Sequence, residues 1–326
     1  MKSIFTPARV ARGLLVAVSC LYASNGARAD MLFLSEYGAN AIMYYNLANN
    51  SSGVFTTNNI SGPEGIVADK NYNIYVSNIG NNTITKYSPG GTYLGTIATA
   101  ASGIDDAEGG LAIDSAGNIY AGNYSNGKII KIATNGTASV FANTGNTSIE
   151  GMVCDSSNNL YVVYYGGTAA FQIHKFNPAG TDLGTYCSVL TTDGQPVPIA
   201  RDHSGNFYVG GFYASPPPSS PTIRKFSADG TTSNVLATLG TGTPGQYGTE
   251  GMTFDSSGTG TLYVSMLNFG TIREYDSTTG AYLGDLATGL SSPTFLTAIP
   301  EPSALLLAGA AGLAVLGWRR FRRRTG

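Results

Sequence analysis

The chain has 326 residues, of which 43 are glycine and only 12% are charged. With 10% aromatic residues the composition excludes a disordered, highly charged chain, because such chains lack the apolar surface needed for a core. All 20 acidic residues and nine of the basic residues lie between residues 30 and 318, which gives that segment a net charge of −11. A domain this acidic repels phosphate backbones, so a nucleic acid partner is excluded.

Residues 1–29 have the organisation of a secretory signal peptide. Basic residues precede a short apolar stretch over residues 14–22, and small residues at Ala27 and Ala29 indicate cleavage after Ala29. An uncleaved anchor is the alternative, but the apolar stretch is too short to span a membrane. We therefore expect export across the inner membrane and removal of residues 1–29.

Residues 30–299 form a predicted domain built from a repeated unit. Each unit has an apolar run ending in Asp, a turn, a strand centred on an aromatic residue, and a further strand in which Lys and an aromatic residue usually follow one another. The aspartates recur at intervals of 45, 41, 47 and 53 residues: Asp69, Asp114, Asp155, Asp202 and Asp255. This period is typical of a four-stranded propeller blade, and we interpret the aspartates as turn residues rather than ligands.

The two ends of the repeat array are incomplete in complementary ways. Residues 32–55 match the second, third and fourth strands of a unit, and residues 293–299 match an isolated first strand. We therefore predict an all-β, six-bladed β-propeller whose split blade is closed by both termini. One aromatic residue per blade is expected to pack between blades: Phe33, Tyr75, Tyr120, Tyr161, Tyr208 and Tyr263.

The repeat resembles the NHL class of six-bladed propellers. It is also similar to the calcium-dependent gluconolactonase/regucalcin family and to streptogramin-lyase-like propellers. The resemblance implies the fold and leaves the chemistry open, since many activities share this scaffold. The histidines on which the lyases rely have no clear counterpart, because His174 lies in a third strand and His203 in a turn.

A Glu-Gly pair precedes four of the six predicted first strands. The glutamates are Glu64, Glu108, Glu150 and Glu250, and the other two positions hold Val197 and Thr294. First strands are innermost in a propeller, so these carboxylates should ring one mouth of the channel. The resemblance to the lactonases implies metal ligands at this place, and calcium suits an oxygen-only set. The alternative is that each glutamate caps backbone N–H groups in its own loop.

The loops between second and third strands reach the same predicted face. Their asparagines and aromatic residues suit the recognition of sugar rings, although they also occur as ordinary loop residues. The candidates for this ligand face are Tyr37, Asn78, Asn123, Tyr124, Tyr164, Tyr165, Phe212, Tyr213, Asn268 and Phe269. Cys154 and Cys187 fall in the first and fourth strands of one unit, too far apart for a disulfide, so we expect two thiols.

Residues 300–326 form a third segment with three parts in order. Pro300, Glu301 and Pro302 come first and an uncharged apolar stretch over residues 304–318 follows. A basic cluster ends the chain: Arg319, Arg320, Arg322, Arg323 and Arg324. A helix over 304–318 would be about 22 Å long, short of the ~30 Å hydrocarbon core, and the arginines would keep its end in the cytoplasm.

This tripartite tail resembles the PEP-CTERM sorting signal of Gram-negative bacteria. The resemblance implies an exosortase as partner, transient anchoring by the C-terminal helix, and a final location at the cell surface or in an exopolysaccharide matrix. The sequence thus predicts a binding or scaffold protein for a glycan or surface protein. The alternative functions are a calcium-dependent, lactonase-like hydrolase and a purely structural matrix component.

Overall fold

The computed structural model describes residues 30–212, 221–239, 248–255 and 260–300. Within these ranges the chain forms six four-stranded antiparallel sheets. Three single turns of 3-10 helix interrupt the loops, at Ala100–Ser102, Thr191–Asp193 and Leu267–Phe269. The predicted all-β, six-bladed propeller is confirmed. The helices expected over residues 1–29 and 304–318 lie outside the described residues.

Five blades are continuous in sequence, and each runs from the central channel outward in chain order. Blade 2 is β4 (Pro63–Ala68), β5 (Ile74–Asn78), β6 (Thr83–Tyr87) and β7 (Tyr93–Ala98). Blade 3 is β8 (Leu111–Ile113), β9 (Ile119–Gly122), β10 (Lys128–Ile132) and β11 (Ala138–Asn143). Blade 4 is β12 (Ile149–Cys154), β13 (Leu160–Tyr164), β14 (Gln172–Phe176) and β15 (Asp182–Ser188). Blade 5 is β16 (Pro196–Arg201), β17 (Phe207–Gly211), β18 (Thr222–Phe226) and β19 (Ser233–Thr238). Blade 6 is β20 (Thr249–Phe254), β21 (Thr261–Met266), β22 (Thr271–Asp276) and β23 (Tyr282–Ala287).

Blade 1 is assembled from both ends of the described chain. Its strands are β1 (Asp30–Glu36), β2 (Ala41–Asn46), β3 (Ser51–Thr56) and the innermost β24 (Pro293–Pro300). The rung that joins Asp30 to Pro300 is the last one of the β1–β24 ladder. The predicted closure by both termini is therefore confirmed, and the predicted signal cleavage site and the Pro-Glu-Pro sequence flank the same rung.

The core lies between blades as well as within them. The aromatic residue of each second strand packs against the next blade, as predicted. Tyr208 of blade 5, for example, shares a buried cluster with Met252 and Leu262 of blade 6. Tyr263 of blade 6 does the same with Leu32 of blade 1, which seals the ring.

Asp69, Asp114, Asp155 and Asp202 are turn residues, as predicted, and they do more than cap the turn, whereas the turn that follows Asp255 lies outside the described residues. In blade 3, Asp114 Oδ1 accepts hydrogen bonds from the backbone N–H groups of Ala116 and Asn118 at 3.0 and 2.8 Å. Asp114 Oδ2 accepts from Asn118 Nδ2 and from the Tyr120 hydroxyl at 2.7 and 3.0 Å. Equivalent networks surround Asp69, Asp155 and Asp202. Each buried carboxylate therefore fixes the turn to its own second strand.

The two cysteines lie at opposite edges of blade 4, in β12 and β15, and both are free thiols as predicted. Burial raises the pKa of Cys154 and of Cys187 to about 12. Thiols with so high a pKa are poor nucleophiles at neutral pH. None of the helices in the described part of the chain has the length and apolar character that a membrane span requires.

Candidate site at the channel mouth

The four glutamates lie at the start of the inner strands. Glu64, Glu150 and Glu250 are each the second residue of their strand, and Glu108 lies in the loop just before β8. The sequence had placed all four just before the strands. The difference arises because β4, β12 and β20 begin with a β-bulge at the glutamate, where the register to the second strand shifts. A bulge re-aims a side chain, and bulges are common beside functional sites.

The glycine after each glutamate is required by the closeness of neighbouring inner strands. A Cβ at Gly65 would lie 2.6 Å from the backbone nitrogen of Leu111, and one at Gly151 would lie 2.4 Å from the carbonyl oxygen of Val197. Gly251 approaches the carbonyl of Thr294 in the same way, at 2.6 Å. The Glu-Gly pair is thus partly structural: glycine lets the inner strands pack around the channel, and the glutamate occupies the bulge beside it.

The glutamates are close enough to raise one another's pKa. Glu64 and Glu150 are only 7% and 6% exposed. Burial, followed by repulsion from Glu250, Glu108 and Asp106, raises the pKa of Glu64 well above its usual value. Burial and repulsion from the same groups and from Glu64 do the same to Glu150. Burial and repulsion from Glu108 raise the pKa of Glu250 to about 8, and burial with repulsion from Asp106 raises that of Glu108. With a pKa of about 8, Glu250 holds a proton at neutral pH.

Two further residues complete this mouth. The Thr294 hydroxyl, which takes the glutamate's place in blade 1, donates a hydrogen bond to the backbone carbonyl of Ser35 at 3.1 Å and lies close enough to Glu64 to counter part of the rise in its pKa. Asp106 adds a carboxylate that sequence reasoning missed. Its only sequence signal is its place two residues before Glu108. Asp106 is held by Ser125, whose hydroxyl donates to its Oδ2 at 2.6 Å.

The fit of a metal ion can be judged from the spacing of these groups. Within the described ranges, no three His, Cys, Asp or Glu side chains converge closely enough to hold one. The carboxylates repel one another through the channel without forming a compact ligand set. In this arrangement protonation relieves their repulsion, and the spacing of the carboxylates does not fit a calcium ion.

Below the glutamates the inner strands enclose a cavity lined by many apolar side chains and by Arg201, Thr253 and Thr297. This cavity of about 190 Å³ lies between the later residues of the inner strands, with side chains that include Ile66, Met152, Ile199, Met252 and Phe295. A carboxylate that faces such surroundings loses hydration without gaining a partner, which is the main reason for the raised pKa values.

The loop candidates do not form one ligand face. Asn78 and Asn123 are fully buried. The Asn78 side chain accepts from the backbone N–H of Ser61 at 3.0 Å and donates to Thr85 Oγ1 at 3.0 Å. Asn123 accepts from the backbone N–H of Asp105 at 3.1 Å and donates to the Gly103 carbonyl at 2.8 Å. Both amides tie a neighbouring loop to a blade and have no surface left for a ligand.

The aromatic candidates are divided in the same way. Tyr164 is fully buried against His174, with ring centroids 5.4 Å apart, and Tyr124 is half-buried. Tyr37 is 43% exposed. Tyr165 and Phe212 form an edge-on pair with centroids 6.4 Å apart, and Phe269 lies under Arg273 at 4.7 Å. Asn268 shares the 3-10 turn of Phe269, and Tyr213 lies outside the described residues.

The histidines lie apart from the channel mouth. His174 Nδ1 is 2.9 Å from Asp182 Oδ2 and its Nε2 is 3.0 Å from Gln172 Oε1, so both ring nitrogens are engaged in the outer half of blade 4. His203 is exposed in the first turn of blade 5. Neither histidine is placed to act on a group bound among the glutamates.

Comparison with solved structures finds the same fold in proteins of different function. A chain of a nidogen/laminin complex superposes with a TM-score of 0.66 at 17% identity, covering 82% of this chain and 98% of that one. A streptogramin B lyase gives 0.59 at 14% identity, with 81% and 82% covered. A putative gluconolactonase gives 0.52 at 14% identity, with 73% and 86% covered. At these identities the likeness shows the fold alone, and no curated protein sequence matches the chain.

The C-terminal segment is the part of the sequence with a specific match. Residues 298–324 match the PEP-CTERM protein-sorting motif. The match begins inside β24, at the strand that closes the ring. The chain is therefore a six-bladed β-propeller that carries a PEP-CTERM sorting motif at its C-terminus.

Proposed function

We propose that this protein is a binding or scaffold component of the cell surface, exported and then processed by an exosortase. The observation that carries the proposal is the sorting motif at residues 298–324, which implies export and handling at the membrane. The propeller is the part that would remain outside, and it supplies a rigid, closed platform. Its partner is a glycan or a surface protein.

Two features favour binding over catalysis. Burial and mutual repulsion raise the pKa of the glutamates at the channel mouth, that of Glu250 to about 8, and a protonated carboxyl group is a poor nucleophile and a poor metal ligand. The histidines are placed away from them, in blade 4 and in an exposed turn. A propeller of this fold also occurs in a complex of two proteins, nidogen and laminin, so the scaffold is compatible with a binding role.

Localisation tests the proposal directly. Intact cells would be treated with protease or labelled with an antibody, and the secreted and surface forms would be analysed by intact mass. We expect surface exposure and an N-terminus at Asp30, with accumulation at the membrane when the exosortase gene is deleted. Protein confined to the cytoplasm, or a mature N-terminus at Met1, contradicts the proposal.

A calcium-dependent hydrolase is the second candidate. It is favoured by the clustering of Glu64, Glu108, Glu150 and Glu250 at one mouth of the channel, because a cation would relieve their repulsion as a proton does. If calcium binds there, it raises the melting temperature by mass action, and Glu150→Gln blunts the rise. Asp105→Asn, which removes an exposed carboxylate nearby, is the matched control. This candidate is eliminated if titration with calcium produces no heat, or if calcium raises the melting temperature of Glu150→Gln as much as that of the parent.

A further inference from the structure

A polar cavity of about 420 Å³ lies at the seam between blade 6 and blade 1. Blade 1 contributes Tyr45, Asn46 and Ser51 to its wall, and blade 6 contributes Tyr263, Glu274 and Asp285. The volume is in the range of cavities that hold small organic ligands. The cavity shares no residue with the glutamates of the channel mouth, so the question of its occupant is separate from the proposed function.

Blades 2 to 5 show what normally occupies this part of a blade. The tyrosine of the second strand pairs across the sheet with a lysine of the third strand. The lysine ammonium lies over the tyrosine ring, at 5.0, 5.1, 5.4 and 5.0 Å from the ring centroid in the four blades. Two of these lysines, Lys86 and Lys131, also lie 3.9 and 3.8 Å from the turn aspartate that accepts the tyrosine hydroxyl.

The ammonium also helps to join neighbouring blades. Lys225 of blade 5 donates a hydrogen bond at 3.3 Å to the backbone carbonyl of Ser277 in blade 6. The tyrosine under it, Tyr208, reaches the same carbonyl at 3.3 Å. In all four blades the ammonium therefore stacks on the tyrosine, and it also balances the turn aspartate in blades 2 and 3 and bonds to the next blade in blade 5.

Blade 6 keeps the tyrosine but reverses the charge beside it. Tyr263 pairs with Glu274 where blades 2 to 5 have lysine, and the two side chains are near enough to change each other's pKa. Asp255 and Asp30 are also near enough to Tyr263 to raise its pKa. Asp285, on the cavity wall, is 3.7 Å from Arg273. Within the described ranges, no Lys, Arg or His lines the cavity itself.

We propose that this seam cavity binds a primary ammonium ion carried by a small polar molecule, such as an amino sugar or a diamine. Four internal copies of the repeat place an ammonium on the equivalent tyrosine, and the fifth copy has an acceptor and an open cavity in its place. The ligand's ammonium would donate to Glu274 and Asp285 and lie against the Tyr263 ring. Asn46 and Ser51 offer an amide and a hydroxyl to the polar body of the ligand.

Titration calorimetry on the full chain, purified in detergent at pH 7 and low salt, tests the proposal. The probes are glucosamine, putrescine, glucose and N-acetylglucosamine. We expect one-site binding of an amine and no heat from the two sugars that lack an ammonium. Binding of glucosamine alone identifies an amino-sugar site, and binding of putrescine as well shows that the ammonium is sufficient. Equal heats from glucosamine and glucose, or no heat from either amine, overturn the proposal.

Two variants of Glu274 make the test specific. Glu274→Gln should weaken amine binding at least tenfold. Glu274→Lys restores the residue that blades 2 to 5 have at this position, so it should abolish binding and raise the melting temperature, a readout that does not depend on the ligand. Asp229→Asn removes the same charge from an exposed hairpin of blade 5 and should change neither. Two outcomes contradict the proposal. One is amine binding that is unchanged in Glu274→Gln; the other is heat from calcium that Glu274→Gln removes, with no heat from either amine.

Discussion

At the scale of single residues, carboxyl groups occur in two opposite environments in this propeller. The turn aspartates are buried carboxylates with their partners in place. Although burial raises it, hydrogen bonds from Asn118 and Tyr120 and the charge of Lys131 hold the pKa of Asp114 below its usual value. The channel glutamates are buried carboxylates that face one another, and their pKa values are raised. Hydrogen-bonded partners, rather than burial itself, decide the direction.

The partnered carboxylate leads to a prediction on stability. Asp114→Ala leaves the Tyr120 hydroxyl, the Asn118 amide and Lys131 without their shared acceptor. We expect a loss of about 2–4 kcal/mol in the free energy of unfolding, measured by urea denaturation. Asp229→Ala, in an exposed hairpin, is the control and should cost much less. A loss below about 1 kcal/mol would mean that the network is not a stabilising one.

The unpartnered carboxylates lead to a prediction on pH. Because the pKa of Glu250 is raised to about 8 in the folded chain, the folded state binds a proton that the unfolded state releases near its ordinary pKa of 4.5. The contribution of Glu250 to the free energy of unfolding is therefore fully present below about pH 4.5 and is lost as the pH rises towards 8. The free energy of unfolding should fall by up to about 1.4 kcal/mol per pH unit in this range.

Glu250→Gln should remove the contribution of this residue to the pH dependence and leave that of the other glutamates. Denaturation curves at pH 4 should be similar for the variant and the parent, and at pH 8 to 9 the variant should be more stable. Asp105→Asn, which removes an exposed carboxylate, should follow the parent at every pH. If Glu250→Gln is destabilising at pH 9, the glutamate is held as a charged group and the proposed protonation of the channel mouth is wrong.

At the scale of elements, the inner and outer strands have different constraints. Inner strands approach one another so closely that glycine is required at the contact. Outer strands are free edges, and each blade has a bulge between its third and fourth strands. Bulges discourage pairing with another chain. That protection is relevant because the outer strands expose apolar residues such as Leu94, Leu183 and Leu283.

The inner-strand constraint can be measured at Gly151. Gly151→Ala places a Cβ 2.4 Å from the Val197 carbonyl and 3.0 Å from the Ile199 side chain, and neither backbone can retreat without opening the ring. We expect a loss of about 2–4 kcal/mol in unfolding free energy. Gly90→Ala is the control, because the nearest atom to its added Cβ is the Ser88 hydroxyl at 4.0 Å. Similar denaturation midpoints for the two variants would refute close contact at the channel.

At the scale of the whole molecule, closure depends on β24. This strand pairs with β1, and its residues line the channel beside β4 and β20. Deletion of Pro293–Ile299 removes the innermost strand of blade 1 and leaves β1 as an open edge. We expect a large fall in melting temperature and loss of a single cooperative transition, measured by calorimetry.

The matched control is deletion from Ser303 onward, which removes most of the sorting tail and leaves β24 in place. We expect the melting temperature of this truncated chain to equal that of the parent domain. If both deletions shift the melting temperature equally, the ring does not depend on β24 for its stability. The sorting motif begins at residue 298, inside the same strand, so the motif overlaps the last rung of the β1–β24 ladder.

The sequence by itself determined the features that repeat or that are read locally. The spacing of Asp69, Asp114 and Asp155 predicted the blades, the unmatched strands at the two ends predicted the closure, and the order of Pro-Glu-Pro, apolar stretch and arginines predicted the sorting tail. Turn chemistry and strand periodicity act over a few residues, so a single sequence is sufficient for them.

The tertiary structure decided what depends on distant neighbours. Asn78 and Asn123 resemble ligand-face residues in sequence, yet loops that pack over them bury and satisfy their amides. The raised pKa of Glu150 comes from burial and from carboxylates up to 100 residues away, and Glu274, which stands where blades 2 to 5 have lysine, lines a cavity that forms where blade 6 meets blade 1. Burial and electrostatic repulsion are set by distances in space, and those distances exist only once the ring has closed.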